Sequence, residues 1–240
     1  MIIISQPRYL PVISYCQRLY FSDHFVILDN VQRQKRGYEN RNRVLVNGAP
    51  KWLTIPSNSS SRALIKDTDI NGSDWIEEHK QKLYDYYSSA PYFDGKYIED
   101  YYGDLEDSIV TLNFDFSETV IYLIQNLCKM FQFSPHITRA STMDSASVEE
   151  SEGPYKLLEI AKYVDAKTYI SGLNGREYGI EETFRNSGIE VKFHADTPEK
   201  YDQGLGTGTF EPHLAFFDAL FFAGYDWLDG QIKKEPKLEN

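Results

Sequence analysis

Apolar positions along this chain follow two periods. Short runs rich in Ile, Val, Phe or Tyr occupy 1–5, 24–29, 51–56, 167–172 and 189–194, each of strand length. Between them, apolar residues return every three or four positions over 12–22, 74–88, 115–133, 154–164, 178–187 and 212–223, which predicts helices. In 74–88, Asp74 offers a cap and Trp75, Ile76, His79, Leu83, Tyr86 and Tyr87 recur at helical spacing. In 115–133, Phe116, Val120, Ile121, Ile124, Leu127, Cys128 and Phe131 do the same, up to the break at Ser134-Pro135. The alternation predicts an α/β fold with a mostly parallel, Rossmann-like sheet flanked by helices. One domain is expected over 1–240, with a helical insertion at about 74–135 and a frayed tail at 233–240. Polar stretches without period at 138–153 and 197–210 read as long loops.

Polar chemistry gathers where strand-like runs end, as in ligand sites of open α/β sheets. The run 1–5 leads into Gln6-Pro7-Arg8-Tyr9-Leu10-Pro11, where two prolines fix the backbone on either side of Tyr9. The run 24–29 ends on Asp29, and His194 ends the last run, so both are expected on one face as candidate proton acceptors. Tyr169-Ile170-Ser171-Gly172-Leu173-Asn174-Gly175-Arg176 reads as a strand entering a glycine-containing turn before a helix, a geometry that offers backbone N–H groups to an anion. Its glycine spacing matches neither a Walker nor a dinucleotide fingerprint. Gly204-Leu205-Gly206-Thr207-Gly208 lacks the following lysine and helix of a phosphate loop.

Charge sharpens this picture. The chain carries a net charge of −11, yet five of the twelve residues from Gln32 to Arg43 are cationic. Arg41 and Arg43, interleaved with Asn40 and Asn42, are expected to grip an anion through the planar guanidinium fork, while Arg33 and Lys35 read as surface. The acidic balance argues against a protein built to hold nucleic acid, except as the carrier of an aminoacyl donor. Two cysteines make no disulfide framework, and no stretch is long and apolar enough for a membrane span, so a cytoplasmic protein without membrane insertion is expected. The histidines show no metal-ligand spacing, and Cys16 has no neighbouring histidine to activate it. Eighteen tyrosines suit packing, interfaces or ring stacking, and a homodimer fits that surplus.

A set of positions spread over nearly the whole chain carries a family resemblance. They are Gln6-Pro7 with Tyr9-Leu10-Pro11, Tyr15, Asp23, Val26 to Asp29, Gln32, Arg41-Asn42-Arg43, Trp52 to Pro56, Trp75 and Ala90 to Phe93. Tyr169 to Gly172, Gly175-Arg176, Tyr178, Phe210, Pro212, Leu214 and Asp218 complete it. Together they resemble the WbqC-like family of bacterial proteins. Ala215 follows Leu214 where that family more often shows serine, which removes a hydroxyl role there. The resemblance implies a surface-polysaccharide gene cluster and modification of a nucleotide-linked amino sugar, with an acyl or aminoacyl group as cargo. No resident cofactor is indicated; the activated acyl or aminoacyl donor is the co-substrate so implied.

The resulting expectation is a transferase with Asp29, His194 and Gln6 as catalytic candidates. Tyr9, Gln32, Arg41, Asn42, Arg43, Ser171, Asn174, Arg176 and His213 are the substrate-binding candidates. Two other classes stay open: an ATP-dependent carboxylate-activating ligase or nucleotidyltransferase, and a non-catalytic binding module of a glycan-synthesis complex.

Overall fold

The computed structural model describes every residue except 35, 59–61, 196–197, 207 and 240. Lys35 therefore lies outside the described residues. Strand β1 (Ile2–Ser5) is central, and its alternation explains the layering. Ile3 points into a core built with helices α1 (Ile13–Phe21), α2 (Trp75–Tyr87), α3 (Lys96–Tyr102) and α5 (Phe116–Met130), together with α9 (Phe216–Ala223) and α10 (Tyr225–Ile232). Ile2 and Ile4 point to the opposite face, under α6 (Ala146–Glu150), α7 (Gly153–Tyr163) and α8 (Ile180–Phe184). A strand apolar on both sides must be covered on both sides, which is the condition for a parallel sheet.

Flanking β1 are β2 (His24–Ile27) and β6 (Thr168–Gly172), both parallel to it. Outside them lie parallel β5 (His136–Arg139) and β7 (Glu190–His194), and β8 (Leu238–Glu239) adds an antiparallel edge. The order β5-β2-β1-β6-β7-β8 is that of a Rossmann-like α/β sheet. The chain first builds outward through β2, then returns to the other side of β1 with β6. The junction of β1 and β6 is thus the topological switch point. Short helix α4 (Leu105–Ser108) completes the run α2–α5, which precedes β5 in the chain. Among the described residues, no helix is long and apolar enough to cross a membrane.

Four sequence expectations change, the first at the tail expected to fray over 233–240, where Leu238–Glu239 pairs with β7 as β8. The run at 51–56 does not join the main sheet: it is β4 (Ala49–Thr54), paired antiparallel with β3 (Arg41–Val46) in a separate hairpin. Asn47 and Gly48 form its turn with φ of 48° and 77°, the positive values that a two-residue hairpin turn requires. The stretch 138–153 is not a structureless loop, since Thr138 and Arg139 end β5 and the Ser145 hydroxyl accepts from Val148 N–H to cap α6. The helix expected from 212 starts at Phe216, leaving Pro212 and His213 before it.

Tyr9 and Leu10 pin the Gln6–Pro11 segment to the core. The Tyr9 hydroxyl is hydrogen-bonded to His79 Nδ1 at 2.7 Å and to the Tyr102 hydroxyl at 2.5 Å, and its ring meets Trp75 edge-on. Burial pushes the His79 imidazole from 6.5 down to about 4, with Lys82 acting in the same direction. Protonation therefore favours the unfolded chain. The stability carried by neutral His79 is complete above its unfolded value of 6.5 and is lost as pH falls towards about 4. Urea unfolding at pH 7 and pH 5 should show a drop that is smaller in His79→Gln; an equal drop would place the acid sensitivity elsewhere.

Candidate active site

At the switch point, residues from the ends of β1, β6 and β7 and the start of α1 enclose a cleft of about 530 Å³. A volume of that size suits a small-molecule site. Gln6 follows β1 directly, and its carbonyl accepts from the buried Tyr15 hydroxyl at 3.2 Å. Ser171 and Gly172 end β6, and the chain turns through Asn174 in a tight helical turn, Leu173–Tyr178. Gly175 is needed there, because a β-carbon would stand 2.1 Å from the Ser171 Oγ. His194, 2% exposed, ends β7 in register with Gly172, and His213, at φ 58°, closes another side.

Gln6, Ser171, Asn174, His194 and His213 thus share one cavity. Its cations, however, are Arg8 and Arg18, not the cluster at 33–43. Both guanidinium groups approach the buried Tyr15 ring, at 6.0 and 5.7 Å from its centroid. Arg8 is the position between the matched Pro7 and Tyr9, and Arg18 lies four residues after the cleft-lining Ser14 on one face of α1. That i, i+4 pair facing the end of β1 is the signal sequence reasoning passed over. None of the described lining residues is Asp or Glu. The first turn of α1 also carries no acid, so the positive end of its dipole faces the cleft uncompensated there. In a chain of net charge −11, an acid-free cavity with two arginines and two histidines favours an anion.

The other expected site residues lie elsewhere. Asp29 is fully buried and accepts from Arg139 Nε at 2.6 Å, Ser141 N–H at 2.9 Å and the Ser141 hydroxyl at 2.7 Å. Arg139 continues to Glu118 at 2.7 Å and Asp115 at 3.3 Å, so the carboxylate ties β2 and β5 to the start of α5. Asp29, expected as a proton acceptor, is not among the residues that line the cleft, and its oxygens accept from Arg139 and Ser141. Tyr9 is likewise committed to the core, and Gln32 bridges to Leu64.

Asn42 is an inward, buried position of β3, its amide donating to the Leu10 carbonyl at 2.5 Å. Arg43 pairs with Glu211 at 2.5 Å and donates to the Pro212 carbonyl at 2.9 Å. Arg41 donates to the Gly37 carbonyl at 3.0 Å and lies 4.1 Å over the Trp52 ring. These three fasten β3 to its neighbours and are not among the residues that line the cleft. Arg176 covers the Phe193 ring at 4.7 Å and pairs with Glu239 at 3.2 Å. Burial pushes the Cys16 thiol up, away from thiolate chemistry. Gly204 and Leu205 line a second hollow of about 680 Å³ beside the Asn47-Gly48 turn, and none of the described residues lining it is a cation.

Fold and cleft together define an α/β protein with an anion-attracting cavity at the switch point of a Rossmann-like sheet. The chain belongs to the WbqC-like protein family, whose model matches residues 6–229. It is similar, at 27% identity over 92% of this chain and 93% of the relative, to the uncharacterized protein Rv1507c of Mycobacterium tuberculosis. No solved structure matches it.

The Asp29 geometry generates a clear expectation. Asp29→Asn keeps the shape but removes one of the three carboxylates around Arg139, and weakening a charged hydrogen bond of this kind costs about 1.5–3 kcal/mol. Urea unfolding should show that loss, while pyrophosphate affinity in the cleft stays near that of the unaltered protein. Unchanged stability with lost cleft binding would reverse the assignment.

Proposed function

We propose that this protein is a transferase that acylates or aminoacylates a nucleotide-linked amino sugar in surface-polysaccharide synthesis. The observation that carries the reading is the acid-free cleft at the switch point, with Arg8 and Arg18 on one side and His194 at the end of β7. Membership of the WbqC-like family agrees with it. Arg8 and Arg18 hold the diphosphate, each guanidinium offering a two-pronged set of donors to phosphate oxygens. The N-terminal turn of α1 adds its dipole to the same charge. Gln6 and Ser171 supply short polar contacts to sugar hydroxyls, and Asn174 at the rim does the same.

The reaction is amide formation. The sugar amine attacks the acyl carbonyl of the activated donor, a C–N bond forms, and the carbonyl π pair moves to oxygen. His194 takes the proton released by nitrogen, and collapse of the tetrahedral adduct expels the donor's leaving group. Positioned proton transfer of this kind contributes roughly 10²–10⁴-fold, and holding amine and donor together supplies the larger share. His213, which lines the same cavity, protonates the leaving group in this reading.

Thermal-shift measurements against nucleotide-linked amino sugars, ATP with magnesium, CoA thioesters and aminoacyl donors test the reading. A ligand at a hundred times its Kd stabilises by about 2.7 kcal/mol. A nucleotide-linked amino sugar should stabilise the protein, and Arg8→Ala with Arg18→Ala should abolish that shift while Arg43→Ala keeps it. His194→Ala should retain the shift and lose turnover by about 10²-fold or more. Stabilisation by ATP with magnesium alone would favour the carboxylate-activating ligase instead.

A further inference from the structure

Most of the large aromatic side chains are packed inside, but Tyr38 and Trp52 are 37% and 42% exposed and stand against each other. Their ring centroids are 5.5 Å apart and the planes are inclined by 52°. Each ring has an arginine on it: Arg8 lies 5.4 Å from the Tyr38 centroid and Arg41 lies 4.1 Å from that of Trp52. The result is a row, Arg8–Tyr38–Trp52–Arg41. Its first member also lines the cleft at the end of β1.

The row is held in place before any ligand arrives. Arg41 donates to the carbonyls of Gly37 and Arg36, at 3.0 and 2.5 Å, so the turn that presents Tyr38 is tied to the strand that faces Trp52. Glu39, 2% exposed beneath that turn, accepts from Gln34 N–H at 3.1 Å, and its own carbonyl accepts from Tyr9 N–H at 3.0 Å. Two exposed rings kept apart from the core, at such a cost in fixed polar contacts, form a rigid stacking surface. Rigid aromatic faces lose little conformational freedom on binding.

We infer that Tyr38 and Trp52 form a stacking subsite for the nucleobase of a nucleoside diphosphate whose phosphates lie at Arg8 and Arg18. The inference rests on the anion-cleft reading and adds to it the part of the ligand that the cleft leaves unassigned. Arg8 touches both the cavity and the row, so the ring that stacks is attached to the anion that Arg8 holds. In a nucleotide-linked sugar the flat ring is the base, carried on the ribose that is joined to the diphosphate. The sugar, on the far side of the diphosphate, then extends from Arg8 across β6 towards His194 at the end of β7. Stacking is tolerant of base identity because every base presents a π face. The arginines at the two ends of the row add cation–π attraction.

Calorimetry with two probes separates this from the cleft itself: inorganic pyrophosphate, which has no base, and a panel of UDP, CDP, dTDP, GDP and ADP. Trp52→Ala should weaken the nucleoside diphosphates that bind by about tenfold or more, the range of base–aromatic stacking, and leave pyrophosphate affinity unchanged. Trp52→Phe keeps a flat ring and should recover most of the loss. Both side chains are exposed, and a melting temperature close to that of the unaltered protein confirms that each variant is folded. An equal loss for both probes, or no loss for either, overturns the stacking subsite and leaves the anion cleft standing. Failure of pyrophosphate and of every nucleoside diphosphate to bind the unaltered protein overturns the cleft and the subsite together.

Discussion

Strand β1 contributes Ile2 and Ile4 to one core and Ile3 to the other. A strand buried on both faces leaves its polar continuation one exit, past its C-terminal end. Ser5, Gln6 and Arg8 emerge there, beside Ser171 and Gly172 of β6 and below the first turn of α1. The chain reverses its direction of building at this same edge, so no crossover covers the gap between β1 and β6. The cleft is thus a consequence of how the central strand is buried. Its charge comes from what the covering helix and the segment after β1 carry, which is arginine without carboxylate.

Two polar networks hold the walls of this arrangement. Asp29, Arg139, Asp115 and Glu118 join the edge of the sheet to α5 on the β2 side. Asp218, fully buried, accepts from the Tyr201 hydroxyl at 2.6 Å, from Gln203 Nε2 at 2.8 Å and from the Tyr87 hydroxyl at 3.2 Å. Burial raises its pKa, and the three donors work against that shift. Gln203 also donates to the Glu211 carbonyl, and Glu211 pairs with Arg43, so the irregular segment before α9 is anchored to α2 and to the hairpin. Buried charge satisfied in this way costs desolvation and returns a fixed geometry. These carboxylates are framework, and the cleft is free of them.

The hairpin of β3 and β4 shows how one set of residues can carry fold and surface together. Its inward positions, Asn42, Val44 and Leu53, are buried against the Gln6–Pro11 segment and the core. On the other side, Arg41 and Trp52 meet in the open, joined to the cleft only through Tyr38 and Arg8. Within the cationic run that stands out in the sequence, Arg41 lies over the Trp52 ring and Arg43 fastens the segment that carries His213.

Local pattern determined the α/β class, the positions of β1, β2, β6 and β7, and the long helices α2 and α5, because burial on one or two faces writes its period directly into the sequence. It also placed Gln6, Ser171, Asn174 and His194 at or just after strand ends, where the structure brings them to one cavity. What remained hidden was partnership. Nothing near Asp29 in sequence announces Arg139, more than a hundred residues away, and a strand-end carboxylate looks the same whether it faces a ligand or a guanidinium. β3 was obscured because Arg41, Asn42 and Arg43 read as a charged loop, although Asn42 is an inward position whose amide finds the Leu10 carbonyl. Arg8 and Arg18 were likewise scattered single cations until the strand-to-helix turn brought both to the Tyr15 ring. Tertiary structure alone decides which charges meet an opposite charge inside the protein and which are left facing a cavity, because that choice depends on distances between segments far apart in the chain.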